Sequence, residues 1–143
     1  MSTCFKYLDL PRIPQNLYCE IYNSIVVNPN HFSFPNVPYY KIHIVNDILD
    51  DFIRNLIPNA KEISVQILRP DIPIHIDIGR TEAINYIITS GGDNVYTCFC
   101  AEDNLEQKYK IETERWHWIN VSIPHRVINL DKNNPRVSIT VTL

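Results

Sequence analysis

From Glu62 to the last residue, the chain falls into short runs in which apolar and polar residues alternate, and few folds accept that pattern. The runs are Glu62–Leu68, Ile72–Ile78, Glu82–Thr89, Asn94–Cys100, Tyr109–Thr113, Trp116–Val121, Arg126–Leu130 and Arg136–Leu143. Alternation of period two is what a half-buried strand leaves in a sequence. Ser90-Gly91-Gly92-Asp93-Asn94 supplies the glycines that a tight reversal needs, and 102 to 108 reads as a polar connection. Many short strands joined by turns predict a mainly β chain folded as a sandwich or barrel.

The first 60 residues read differently. Asn46 to Ile57 is an amphipathic helix: Asn46 or Asp47 caps it, and Asp50 and Asp51 suit its positive end. Ile48, Leu49, Phe52, Ile53, Leu56 and Ile57 form one apolar stripe, and Pro58 stops it. Phe5–Leu10 and Tyr39–Val45 read as strands. Gln15 to Pro38 reads as irregular coil around a short element at Leu17–Val27, either a lid or substrate-side wall or a loop that only covers the core.

At 143 residues and 45% hydrophobic content, one domain with a real core is expected. The net charge of −3 gives no field to gather nucleic acid or anionic membrane non-specifically. No apolar run reaches membrane-spanning length, and the start of the chain lacks the pattern of a secretory signal. Cys4, Cys19, Cys98 and Cys100 have no disulfide spacing, which points to free thiols in a reducing cytoplasm (that of a host, if the chain is viral). The Asn- and Ile-rich composition would suit a phage or another AT-rich genome.

The chemistry concentrates in Ile72-Pro73-Ile74-His75-Ile76-Asp77-Ile78. In a strand, residues i and i+2 share a face, so His75 and Asp77 leave together and the isoleucines take the other side. His125 follows Pro124, which restricts the backbone at a strand entry. Two imidazoles and a carboxylate on one face, with open positions left, is the donor set of non-haem Fe(II) oxygenases. Arg136 and Ser138 share a face of the last strand, and Arg136 lies eleven residues after His125. A buried arginine calls for an anionic partner, and its planar fork fits a carboxylate.

These residues resemble the 2-oxoglutarate- and Fe(II)-dependent oxygenases: His75-Ile76-Asp77, then Pro124-His125-Arg126-Val127-Ile128-Asn129, then Arg136-Val137-Ser138, in the family's order and spacing. The resemblance spans roughly Ile63 to Leu143. It implies a double-stranded β-helix, a jelly-roll or cupin-like barrel, with the helix near 46–57 as support. It implies Fe(II) on His75, Asp77 and His125, the metal ligands and catalytic centre. It also implies 2-oxoglutarate on Arg136 and Ser138, and O2 consumed as succinate and CO2 leave, with hydroxylation as the usual outcome. Asn85 would contact the cosubstrate or orient the substrate. Gln66 and Arg69 are weaker candidates and read as satisfied or surface residues.

His31 and His43 read as loop or surface residues. His117, between two tryptophans, reads as a decoy, and Trp118 reads as rim packing or a substrate contact. Cys98 and Cys100 lack the second pair that zinc needs. Only 48 residues separate Asp77 from His125, which leaves little room for inserted loops. The substrate wall then comes from the N-terminal third or a second subunit of a homo-oligomer, or is nearly absent. An open site suits a protein side chain or nucleic acid, and a small molecule would need a lid. Two alternatives stay open: a jelly-roll binding module with a relic site, and a cupin-like metalloenzyme that does not use 2-oxoglutarate.

Overall fold

The computed structural model describes residues 3–19, 39–43, 47–69, 71–100, 106–131 and 133–143, with only the backbone path given for 39–43. Ten strands follow in chain order: β1 Phe5–Tyr7, β2 Tyr39–His43, β3 Glu62–Leu68, β4 Ile72–His75, β5 Glu82–Ser90, β6 Tyr96–Cys100, β7 Glu106–Tyr109, β8 His117–Asn120, β9 His125–Ile128 and β10 Arg136–Thr142. A helical segment over residues 15–19 is α1, and Asp47–Leu56 is α2.

The strands form two antiparallel sheets, ordered β1-β8-β5-β10-β3-β2 and β4-β9-β6-β7. From β3 onward the chain changes sheet at every connection except the β6–β7 hairpin. That is the winding of a double-stranded β-helix, with β1 and β2 added at the two edges of the larger sheet.

Each strand of such a fold has a core face, and β10 has two. Val137, Ile139 and Val141 alternate with Arg136, Ser138 and Thr140, and all six are buried. Ile139 and Val141 pack on Leu49, Ile53 and Ile57 of the α2 segment, with Tyr86 and Trp116 beside them. Each such aliphatic burial contributes about 1.5–3 kcal/mol. Trp116 Nε1 donates to the Pro11 carbonyl at 3.0 Å, and the Tyr18 hydroxyl donates to Glu114 at 2.7 Å. These two bonds tie the N-terminal segment and α1 to the outside of the large sheet. Between the sheets lie two further clusters, Leu68, Ile72, Val95 and Val127, and Ala83, Phe99, Ile119 and Val121.

Three expectations change, and one lies largely outside the described residues. Ile48 is 67% exposed and leaves the α2 stripe. The strand expected at Tyr109–Thr113 runs instead over Glu106–Tyr109, with three of its four residues in the stretch read as a polar connection. As an edge strand it needs only the ladder to β6, and its polar side chains face solvent or Arg126, which Glu106 grips with both oxygens at 2.7 Å. Of the element expected at Leu17–Val27, the described part is the helical turn through residue 19, and the remainder lies outside the described residues, as do His31 and most of the stretch read as a lid.

The third change bears on the site. β4 stops at His75, and its register against β9 shifts between Ile72↔Val127 and His75↔His125. This bulge places one extra residue on β4 and flips its faces. Ile72 and His75 therefore both turn inward, while Ile74, Ile76 and Ile78 are exposed rather than packed on an apolar face.

Candidate metal centre

His75 ends β4, His125 opens β9, and the two face each other as a register pair. Asp77 follows two residues after β4, anchored by its own N–H to the Val121 carbonyl at 3.1 Å. Three elements thus deliver His75 Nε2 and His125 Nε2 to within 3.4 and 3.3 Å of the same oxygen, Asp77 Oδ1. The imidazole rings stand 4.4 Å apart at 54°.

The other atom of each group is already occupied. His75 Nδ1 lies 2.8 Å from the Pro73 carbonyl, and His125 Nδ1 lies 2.8 Å from the Ile123 carbonyl. A carbonyl only accepts, so each Nδ1 carries the hydrogen and donates. Asp77 Oδ2 accepts from Arg80 Nε at 2.7 Å. Arg80 is itself held by Thr140 at 2.8 Å and Thr142 at 3.3 Å, at the end of β10.

What remains is His75 Nε2, His125 Nε2 and Asp77 Oδ1, three atoms that can each offer a lone pair and that converge on one point. Such a group needs either a proton on one imidazole or a cation. The distances match adjacent corners around a divalent metal ion, with the remaining corners free. Hydrogen bonds that fix the far nitrogen of each ring and the far carboxylate oxygen are the usual support of such ligands. Burial alone would push the Asp77 carboxyl up, but the bonds and charges of His125 and Arg80 outweigh it and hold it at about 2.

The three donors open onto a cavity of about 500 Å³ between the sheets, which also contains Arg136, Ser138 and Asn85 on its wall. That size is ordinary for a small-molecule site. Arg136 is 4% exposed. Its Nε donates to the Ser90 carbonyl and its Nη1 to Thr97 Oγ1, both at 3.0 Å. Its Nη2 is buried with no hydrogen-bond partner among the described residues. Burial lowers it to about 10, so it is charged at neutral pH. Asn85 Oδ1 is likewise buried without a partner. Gly91 lets the chain pass close behind Arg136: its φ is 85°, and a Cβ there would lie 2.8 Å from the Arg136 nitrogen.

Several residues stand elsewhere than the sequence suggested. His117 is 1% exposed and lines the cavity. Burial, with Arg136 adding to it, lowers its pKa to about 4, so it is neutral. Trp118 does not face the mouth; it lies under the Lys6 ammonium, 5.5 Å from its ring centre. Gln66, read as satisfied or surface, is on the cavity wall, and Arg69 is not. Cys98 and Cys100 are free thiols. Arg80 and Thr97 went unrecognised: Arg80 sits in an irregular segment with no periodicity to assign its direction, and Thr97 looked like any strand threonine. The charge three residues after Asp77 was the only signal for Arg80.

No family model and no curated protein matches the sequence. The fold does have relatives among solved structures. A prolyl hydroxylase from Trichoplax adhaerens, solved with a hypoxia inducible factor oxygen degradation domain peptide fragment, aligns with 96% of this chain and 82% of its own, at TM-score 0.68 and 15% identity. A prolyl-4-hydroxylase from Pseudomonas putida aligns over 96% and 90%, at TM-score 0.61 and 12% identity. A 2OG-Fe(II) oxygenase family oxidoreductase from Burkholderia pseudomallei aligns over 86% and 76%, at TM-score 0.58 and 11% identity. The chain has the jelly-roll fold of the 2-oxoglutarate- and Fe(II)-dependent oxygenases. No helix among the described residues is long and apolar enough to cross a membrane.

Proposed function

We propose that the protein is an Fe(II)- and 2-oxoglutarate-dependent oxygenase that hydroxylates its substrate and releases succinate and CO2. One observation carries this reading: a buried, charged Arg136 with an unused Nη2 shares a cavity with three convergent metal donors. A lone guanidinium in a low-dielectric wall is unfavourable unless an anion completes it. A metal site alone gives no reason to keep it there, whereas a cosubstrate with a carboxylate at each end does.

His75, Asp77 and His125 would hold Fe(II), which with O2 and 2-oxoglutarate supplies the oxidising chemistry. The chain's own groups prepare that chemistry. The carbonyls of Pro73 and Ile123 fix the tautomer in which both Nε2 atoms are free to bind. Arg80 occupies Oδ2, so Asp77 offers only Oδ1. Arg136 would take the far carboxylate of the cosubstrate, with the Ser138 hydroxyl as a further donor. Asn85 would meet the cosubstrate or orient the substrate. His117 stays neutral beside Arg136, so it adds no second buried charge. Ile87, Ile111 and Val127 on the same wall keep water from the reaction.

The test is succinate release from 2-oxoglutarate by the purified chain. Release that needs Fe(II), 2-oxoglutarate and O2 together, and falls with Arg136→Ala, supports the reading. No release under any condition, with no thermal stabilisation by Mn(II) plus 2-oxoglutarate, would refute it and favour a binding module with a relic site. Metal binding indifferent to 2-oxoglutarate and to Arg136→Ala would favour a metalloenzyme without the cosubstrate.

A further inference from the structure

Large apolar side chains rarely stand in water in a contiguous row unless something binds them. Among the described residues four are exposed, and three of them, Ile74, Ile76 and Ile78, at 52%, 52% and 100%, stand in one short run. They fall at the end of β4 and in the irregular segment just after it, and the β4 bulge turns Ile74 outward. Ile76 and Ile78 also border the cavity and flank Asp77. His75 is the most open of the three donors, with 37% of its side chain exposed against 15% for Asp77 and 9% for His125. The way in to the donors therefore passes along the isoleucines.

Charge narrows what can use that way in. Among the described residues Arg80 and Arg136 are the cations on the cavity wall, and Arg80 is committed to Asp77, Thr140 and Thr142. Arg136 is buried behind the donors. The run itself bears no cation for a phosphate backbone and no opposed charges for a free amino acid.

The backbone narrows it further. β4 is the last strand of its sheet, with β9 on one side and no strand on the other among the described residues. Pro73 has no N–H to offer, so the usable edge begins at Ile74. A purely hydrocarbon occupant would cover the remaining backbone groups without bonding them. An extended polypeptide bonds them while its alternate side chains meet the isoleucines. Four residue steps from Ile74 to Ile78 cover at most roughly 13 Å, the length of a few extended residues.

We propose that Ile74, Ile76 and Ile78 form a docking strip for an extended, uncharged, aliphatic segment of a polypeptide, which presents one of its side chains to the His75, Asp77 and His125 cluster. The consequence for substrate class rests on the oxygenase reading above, while the docking itself does not. The probe is a short fluorescein-labelled peptide alternating valine and serine, titrated against the full chain by anisotropy. Comparison probes are the same peptide with glutamate for valine, a short oligo-dT, and a labelled dodecanoyl amide.

The valine peptide is expected to bind best, with roughly tenfold or greater weakening in Ile76→Asp and in Ile78→Asp. Ile48→Asp, at the exposed isoleucine on α2, is expected to leave binding unchanged, and none of the three exposed sites should alter melting. Equal binding by the Asp variants, or equal or tighter binding of any comparison probe, would overturn the proposal. Melting with Mn(II) and 2-oxoglutarate separates the two readings. Stabilisation without peptide binding removes the strip alone, and peptide binding without stabilisation keeps the strip and removes the oxygenase reading.

Discussion

Replacing Arg136 by methionine separates a residue kept for the fold from one kept for a ligand. Burial holds the guanidinium at about 10 against an ordinary 12.5. At 1.36 kcal/mol per pKa unit this is a penalty of about 3 kcal/mol. Because the folded value is the lower one, the charged form is the disfavoured form in the fold. The penalty is therefore complete at neutral pH and is relieved only as the pH rises through about 10. Against it stand two hydrogen bonds, to Ser90 and Thr97, worth about 1.5–3 kcal/mol each to a charged donor. Methionine fills much of the same volume and needs no partner. The ligand-free variant should therefore lose no more than about 3 kcal/mol, the bonds given up less the penalty relieved.

With ligand the two should part. At a 2-oxoglutarate concentration of about 100 times the parent's Kd, in the presence of Mn(II), the parent gains about 2.7 kcal/mol. For a chain of this size that is a rise of roughly 8 °C in Tm. Losing the partner of a buried carboxylate costs about 3–5 kcal/mol, or at least ~100-fold in Kd. At the same concentration the variant then gains at most about 0.4 kcal/mol. Urea denaturation with and without ligand measures both quantities. A ligand-free loss above about 3 kcal/mol would make Arg136 a structural clamp. A full ligand-induced gain in the variant would place the carboxylate elsewhere.

Other perturbations have equally definite outcomes. His117, lowered to about 4 from 6.5, takes up its proton in the unfolded chain first, so stability should fall by about 3 kcal/mol between pH 6.5 and 4, and His117→Gln should flatten that slope in pH-dependent denaturation. Asp77, held at about 2 against 3.8, should contribute about 2 kcal/mol that persists above pH 4 and disappears only between pH 4 and 2. Asp77→Ala should abolish Mn(II) binding in calorimetry and also lower ligand-free stability by about 2–4 kcal/mol, because Arg80 loses its counter-ion; His75→Ala, at the more exposed ligand, should abolish binding at under about 1 kcal/mol. Gly91→Ala would place a Cβ 2.7 Å from Leu130 Cδ2 and 2.8 Å from the Arg136 nitrogen, and should lower stability by about 2 kcal/mol or more while weakening 2-oxoglutarate binding by displacing Arg136.

Strands, the helix and the donor residues were legible because each leaves a local trace. Alternation located β3, β5, β8 and β10 to within a residue or two, and the apolar stripe located α2. β7 escaped because an edge strand with solvent-facing side chains carries no alternation to read. Ile48 escaped because a helical stripe has a margin, and only the position of the sheet says where it ends. His117 stands outside the donor group, as its reading as a decoy requires, but only the fold shows that its strand turns it to the cavity and turns Trp118 away.

The residue types and their order by themselves determined a β chain that bears His75, Asp77 and His125 with Arg136 further along. Those features depend on side-chain chemistry and on the two-residue repeat of a strand, both of which are local. Only the tertiary structure decided how the pieces meet. The β4 bulge is a matter of register between strands about fifty residues apart, and it turns the isoleucines from presumed core into an exposed strip. The bonds that brace Arg80 on Thr140 and Thr142, and so aim it at Asp77, each span at least sixty residues of chain. The unused nitrogen of Arg136 is a statement about everything packed around it. Such facts arise from long-range packing and desolvation, which no local window of sequence contains.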